Sequence, residues 1–125
     1  MPGKDVTLVA HGLMVAESIR AADILESEGI SARVLDLHTI KPLDSDALAK
    51  AATETGALVV AEEHLVDSGL GARVAQALSL TRPAPIEYVG LTGFAESGTP
   101  EAVVEKYGLT AASVAAAARR VLARK

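Results

Sequence analysis

The stretch Val6-Thr7-Leu8-Val9-Ala10, stopped by His11-Gly12, decides the fold. It is a short apolar run with β-branched residues, the pattern of a buried strand. Two more runs follow the same plan. Ala32-Arg33-Val34-Leu35-Asp36-Leu37 precedes His38, and Leu58-Val59-Val60-Ala61-Glu62-Glu63 precedes His64. If these strands lie parallel, the three imidazoles and the Glu62-Glu63 pair share one edge of one sheet. That edge, outside the carboxyl ends of the strands, is where open α/β sheets place ligands and partners.

Between the runs the periodicity changes to that of helices. After Gly12, Val15, Ile19, Ala22 and Leu25 share one face, and Gly29 closes the helix. Ser31–Leu37 is the second strand, and Thr39–Leu43 is a connector because Pro42 disfavours helix at Lys41. Asp44 or Ser45 caps a helix that reaches about Thr55 and stops at Gly56. Ala57–Glu62 is the third strand, with a loop from His64 to Ser68. Gly69-Leu70-Gly71 opens a helix that turns Leu70, Val74, Ala77 and Leu78 inward and is barred from extension by Pro83 and Pro85. Ile86–Leu91 is the fourth strand. Thr99-Pro100 starts a short helix ended by Gly108, and Thr110 caps a last one with Val114, Ala118, Val121 and Leu122 as its buried stripe.

Strands alternating with helices imply parallel pairing and right-handed crossovers. The expected architecture is a three-layer α/β/α domain over residues 1–125, its mostly parallel four-stranded sheet in the order 2-1-3-4. Half the residues are hydrophobic but only 2% are aromatic, so the core is built from Val, Leu, Ile and Ala. A net charge of −4 and the lack of stacking aromatics speak against nucleic acid. With no cysteine there is neither a disulfide framework nor a thiolate zinc site. No apolar stretch has transmembrane length, and Met1–Asp5 leads straight into a strand without space for a signal peptide. A cytoplasmic protein is expected.

Three constellations carry potential chemistry. Gly69-Leu70-Gly71 at a helix start suits an anion, but Val74 stands where a dinucleotide fingerprint needs its third glycine. The alternative role for these glycines is close helix–sheet approach. His11, His38 and His64 offer a zinc site with Glu62 or Glu63 behind it, yet no local spacing makes them converge. Neighbouring residues on a strand point to opposite faces, so Glu62 and Glu63 are not an acid/base pair; one is expected buried and the other turned to a partner. No Gly-x-Ser-x-Gly elbow is present, and Ser18 falls inside a helix.

Four ordered blocks resemble the transketolase C-terminal domain. They are Asp5–Ala10 with Gly12 and Met14–Ser18, then Glu28–Asp44, then Glu62-Glu63-His64 with Ser68–Gly71, and finally Gly90 through Phe94–Gly98 to Tyr107–Thr110. The resemblance spans essentially the whole chain. It implies the third domain of thiamine-diphosphate enzymes: transketolases, deoxyxylulose-phosphate synthases and 2-oxoacid dehydrogenase β subunits. In such enzymes the cofactor lies between the other two domains. The diphosphate–magnesium motif, Gly-Asp-Gly with a later Asn, is absent here, as is the domain that supplies the catalytic glutamate.

The chain is therefore expected to bind no cofactor and to catalyse nothing alone. The assembled enzyme would hold thiamine diphosphate and magnesium and transfer two-carbon ketol units between sugar phosphates. The partner would be a chain carrying the cofactor-binding domains, within an oligomer. The interface or structural rim would comprise His11, Gly12, His38, Glu62, Glu63, His64, Gly69 and Gly71. His11 and Ser68 depart from the family pattern, which favours a small or hydroxyl residue and a glycine. The family's extra antiparallel strand would precede this sequence, so an open sheet edge is expected beside strand 2. Two readings outside the family are a free-standing anion-binding module and a metal-dependent hydrolase.

Overall fold

A computed structural model describes residues 3–37, 44–65, 70–91 and 110–125. Strands β1 (Val6–Ala10), β2 (Ala32–Asp36), β3 (Leu58–Leu65) and β4 (Ile86–Leu91) alternate with helices α1 (Leu13–Ser27), α2 (Ser45–Thr55) and α3 (Leu70–Leu80), and α4 (Ala111–Ala123) closes the chain. The sheet order is β2-β1-β3-β4, as expected, and every pair is parallel. In register, Leu8 lies between Val34 of β2 and Val59 of β3.

The two faces carry separate cores. Under α1 and α4, Val6, Leu8, Val59 and Val89 meet Met14, Leu25, Val114 and Val121 across a surface of alanines. Under α2 and α3, Val9, Leu58 and Val60 meet Leu48, Val74 and Leu78. Thr7 is the polar exception on β1. Its hydroxyl is fully buried, 2.8 Å from that of Thr55, whose own proton goes to the Ala51 carbonyl at 2.8 Å. Thr7 therefore donates to Thr55, and neither group is left without a partner.

The structure departs from expectation in two places. The buried arc of α1 is Met14, Ser18, Ala21, Ala22 and Leu25, whereas Val15 is half-buried and Ile19 is 41% exposed. Apolar residues run almost around this helix, so tertiary packing rather than periodicity selects the face. Next, β3 does not end at Glu62. It continues through His64 to Leu65, which pairs with Leu91, because a register shift between Ala61 and Leu65 absorbs the change in pairing. As expected, β2 is an edge strand among the described residues, and its start is tied to the segment that leads into β1. The Asp5 amide donates to the Ser31 carbonyl, the Ser31 amide to the Asp5 carboxylate, and the Arg33 guanidinium to the Gly3 carbonyl. Beyond β2 no further strand is present among the described residues.

Ser18 Oγ is fully buried with no hydrogen-bond partner among the described residues. A buried hydroxyl without a partner costs about 1–3 kcal/mol. Ser18→Ala is accordingly expected to stabilise the chain by about 1 kcal/mol, seen as a higher urea midpoint with an unchanged m-value.

Candidate functional site

Parallel strands joined by helices put every strand's carboxyl end, and the start of the helix that follows it, on one rim. At the end of β1, the His11 ring Nδ1–H donates to the Leu37 carbonyl at 2.9 Å, and the Leu37 amide donates to the Ala10 carbonyl at 3.0 Å. This tautomer leaves the lone pair of the neutral ring on Nε2. Gly12 then turns the chain into α1 with φ 64° and ψ −135°, and gives α1 no side-chain cap.

At the end of β3 the Glu62 carboxylate is almost fully buried, with 1% of its surface exposed. Its Oε2 accepts the Gly71 backbone N–H at 2.5 Å. Gly71 stands in the first turn of α3, where an amide has no partner within the helix. A β-carbon there would lie 2.7 Å from Tyr88 Cδ1 and 3.2 Å from Glu62 Oε2. The glycine thus permits close helix–sheet approach, the second of the two roles open to it. The Gly71 amide, which the anion-binding reading needs, is already held by a carboxylate of the same chain. Tyr88 is 39% exposed, and burial of the remainder pushes its phenol up.

Other helix starts on this rim are capped in the same manner. Glu17 Oε2 accepts the Ala111 amide at 2.8 Å while Oε1 pairs with Arg20 at 2.7 Å, so α1 holds the start of α4. Thr110 caps the Ser113 amide of α4, and Asp44 caps the Ala47 amide of α2. The sequence marked Asp44 and Thr110 as caps. It gave no sign of Glu17 or Tyr88, whose partners lie far away in the chain.

Of the expected rim residues, the structure places His11, Gly12, Glu62 and Gly71 as described. Glu63 and His64 lie in β3, but their side chains fall outside the described residues, as do His38 and Gly69 altogether. Among the described residues no group of three or more His, Cys, Asp or Glu is arranged to hold a metal ion. Ser18 is sealed inside α1 and cannot meet a substrate. No helix among the described residues is long and apolar enough to cross a membrane.

The cationic end of α4 lies away from the rim, beside the first residues of β4. Arg119 forks onto Glu28, and Arg120 and Arg124 share Glu87, with Arg124 also donating to the Ile86 carbonyl. The Arg120 hydrogen bond, opposed by desolvation and helped by Arg124, holds the Glu87 carboxyl below the usual range. These arginines are engaged in ion pairs, so they are not a free basic patch.

Comparison with known proteins extends over nearly the whole chain. The family model described as "Transketolase, C-terminal domain" matches residues 1–114. A 6-deoxy-6-sulfo-D-fructose transketolase subunit, SqwH, from Clostridium sp. (strain MSTE9) is 44% identical over 98% of this chain and 38% of its own length. The 1-deoxy-D-xylulose-5-phosphate synthase of Heliobacterium modesticaldum is 39% identical over 95% of this chain and 19% of its own. A solved split-gene transketolase, described as an inactive β4 tetramer, superposes with a TM-score of 0.93 at 49% identity, covering 98% of this chain and 40% of that one. The chain thus spans about two fifths or less of these relatives.

Proposed function

Because the chain belongs to the transketolase C-terminal domain family, we propose that it is the C-terminal module of a cytoplasmic, transketolase-like, thiamine-diphosphate-dependent enzyme. As one domain over residues 1–125 it packs through its rim on a companion chain that carries the two cofactor-binding domains, within an oligomer. The assembled enzyme moves a two-carbon ketol unit between sugar phosphates. The observation that carries this reading is the match over 98% of the chain to 40% of a split-gene transketolase chain.

Thiamine diphosphate, when bound with magnesium by the companion, supplies the carbanion chemistry. This reading leaves the holding of that group to the companion; among the described residues no group of three or more His, Cys, Asp or Glu is arranged to hold a metal ion. No catalytic step is therefore assigned to them. Their work is to hold a surface: His11 ties β1 to the end of β2, Gly12 turns the chain into α1, and Glu62 meets α3.

The test is reconstitution. The purified chain alone is expected to convert no ketose phosphate and to give no calorimetric signal with thiamine diphosphate and magnesium. Mixed with the companion, it should co-elute on size exclusion, and ketol transfer to an aldose phosphate should appear only then. Turnover by the isolated chain, or tight cofactor binding to it, overturns the proposal.

A further inference from the structure

We propose that Glu62 is a positioning residue: through the Gly71 amide it sets where the first turn of α3 stands on the rim. The proposed function enters only in what that turn meets, the companion chain. Glu62 is turned inward with 1% of its surface exposed, and its Oε2 lies 2.5 Å from an amide that the helix itself cannot satisfy. A carboxylate at a helix start also opposes the positive end of the helix dipole, so hydrogen bond and field act together.

Tyr88 closes the arrangement from the third side. Its ring lies where a β-carbon on residue 71 would stand, 2.7 Å from Cδ1 and 2.9 Å from Cε1. Strand β3, helix α3 and strand β4 therefore meet at one point through a carboxylate, a bare backbone and a ring. A β-carbon at position 71 requires the Tyr88 ring or the helix to shift. The contact joins residues nine apart in sequence.

Amide hydrogen exchange on the isolated chain tests this directly. The Gly71 amide of the unaltered chain is expected to be protected, although first-turn amides ordinarily exchange freely. In Glu62→Ala the amides of residues 70–73 should exchange about ten- to a hundredfold faster, the span of a hydrogen bond to a charged acceptor. Amides in the centres of α1 and α4 should keep their rates. Glu62→Gln, which retains a neutral acceptor oxygen, should recover part of the protection.

A freely exchanging Gly71 amide in the unaltered chain overturns the proposal. So does a Glu62→Ala chain in which exchange is unchanged at 70–73, or rises equally in all helices. Where Glu62→Ala fails to fold, Glu62→Gln serves instead: exchange at 70–73 should still be faster than in the unaltered chain, because a neutral acceptor makes the weaker bond. A Glu62→Gln turn as protected as the unaltered one then overturns the proposal. Companion binding separates the two ideas. An unaltered chain that ignores the companion overturns the proposed function, while the exchange experiment judges Glu62 without any companion present.

Discussion

Leu8→Ala is expected to lower the melting temperature by about 15 °C, from a loss of about 4 kcal/mol and the usual conversion for a chain of this size. Leu8 is fully buried on β1, which has partners on both sides. The surface around it is built largely of alanines: Ala10, Ala21, Ala22, Ala57, Ala61, Ala115, Ala117 and Ala118 all belong to the same core. Alanine has no rotamer with which to move into a void. The cavity left by the missing isobutyl group therefore stays open, and the loss falls in the upper part of the range measured for buried leucines. Leu80→Ala is the control, since Leu80 is 80% exposed at the end of α3 and is expected to change stability by no more than about 0.5 kcal/mol. Thermal unfolding followed by circular dichroism measures both. A drop of less than about 5 °C for Leu8→Ala would mean that the alanine surface collapses onto the gap.

Gly12→Ala is expected to have the second largest effect, a loss of about 2–3 kcal/mol. With φ 64° and ψ −135°, Gly12 lies where a β-carbon collides with its own backbone. The turn cannot relax toward negative φ without displacing His11 on one side or the first turn of α1 on the other. His11 is anchored to the Leu37 carbonyl, and the Val15 amide of α1 is bonded to the Gly12 carbonyl at 3.1 Å. The substitution should also weaken association with the companion chain, because the β1 sector of the rim shifts with it. Urea unfolding gives the stability loss, and titration with the companion gives the affinity. A Gly12→Ala chain as stable as the parent contradicts the assigned backbone geometry.

The sheet was readable in the sequence because each strand is built on a short, mainly apolar and β-branched run near a Gly, Pro or capping residue. The order 2-1-3-4 is one that parallel pairing with right-handed crossovers allows, and it places helices on both faces. The face of α1 was not readable. Leu13, Met14, Val15, Ile19, Ile24 and Leu25 surround that helix, and the Gly12 turn together with the alanine surface of α4 chooses the buried arc. The end of β3 was misjudged because Glu62-Glu63-His64 is polar, and polarity suggests a loop; the register shift near Ala61 lets the strand continue. That one member of the acidic pair is buried was anticipated from strand alternation, but the partner of Glu62 was not. That contact joins a strand end to a helix start through space, and no local pattern announces it.

All the strand pairs in this sheet are parallel, and this governs how the chain acquires its shape. No two strands can zip together from a tight hairpin, so each pairing waits for the closure of a long crossover. The unit β1–α1–β2 has the shorter loop to close. The middle strand gains its second neighbour only when β3 arrives from beyond α2. Until then a largely apolar ribbon is exposed along one side, and the nascent protein is at its most prone to aggregate.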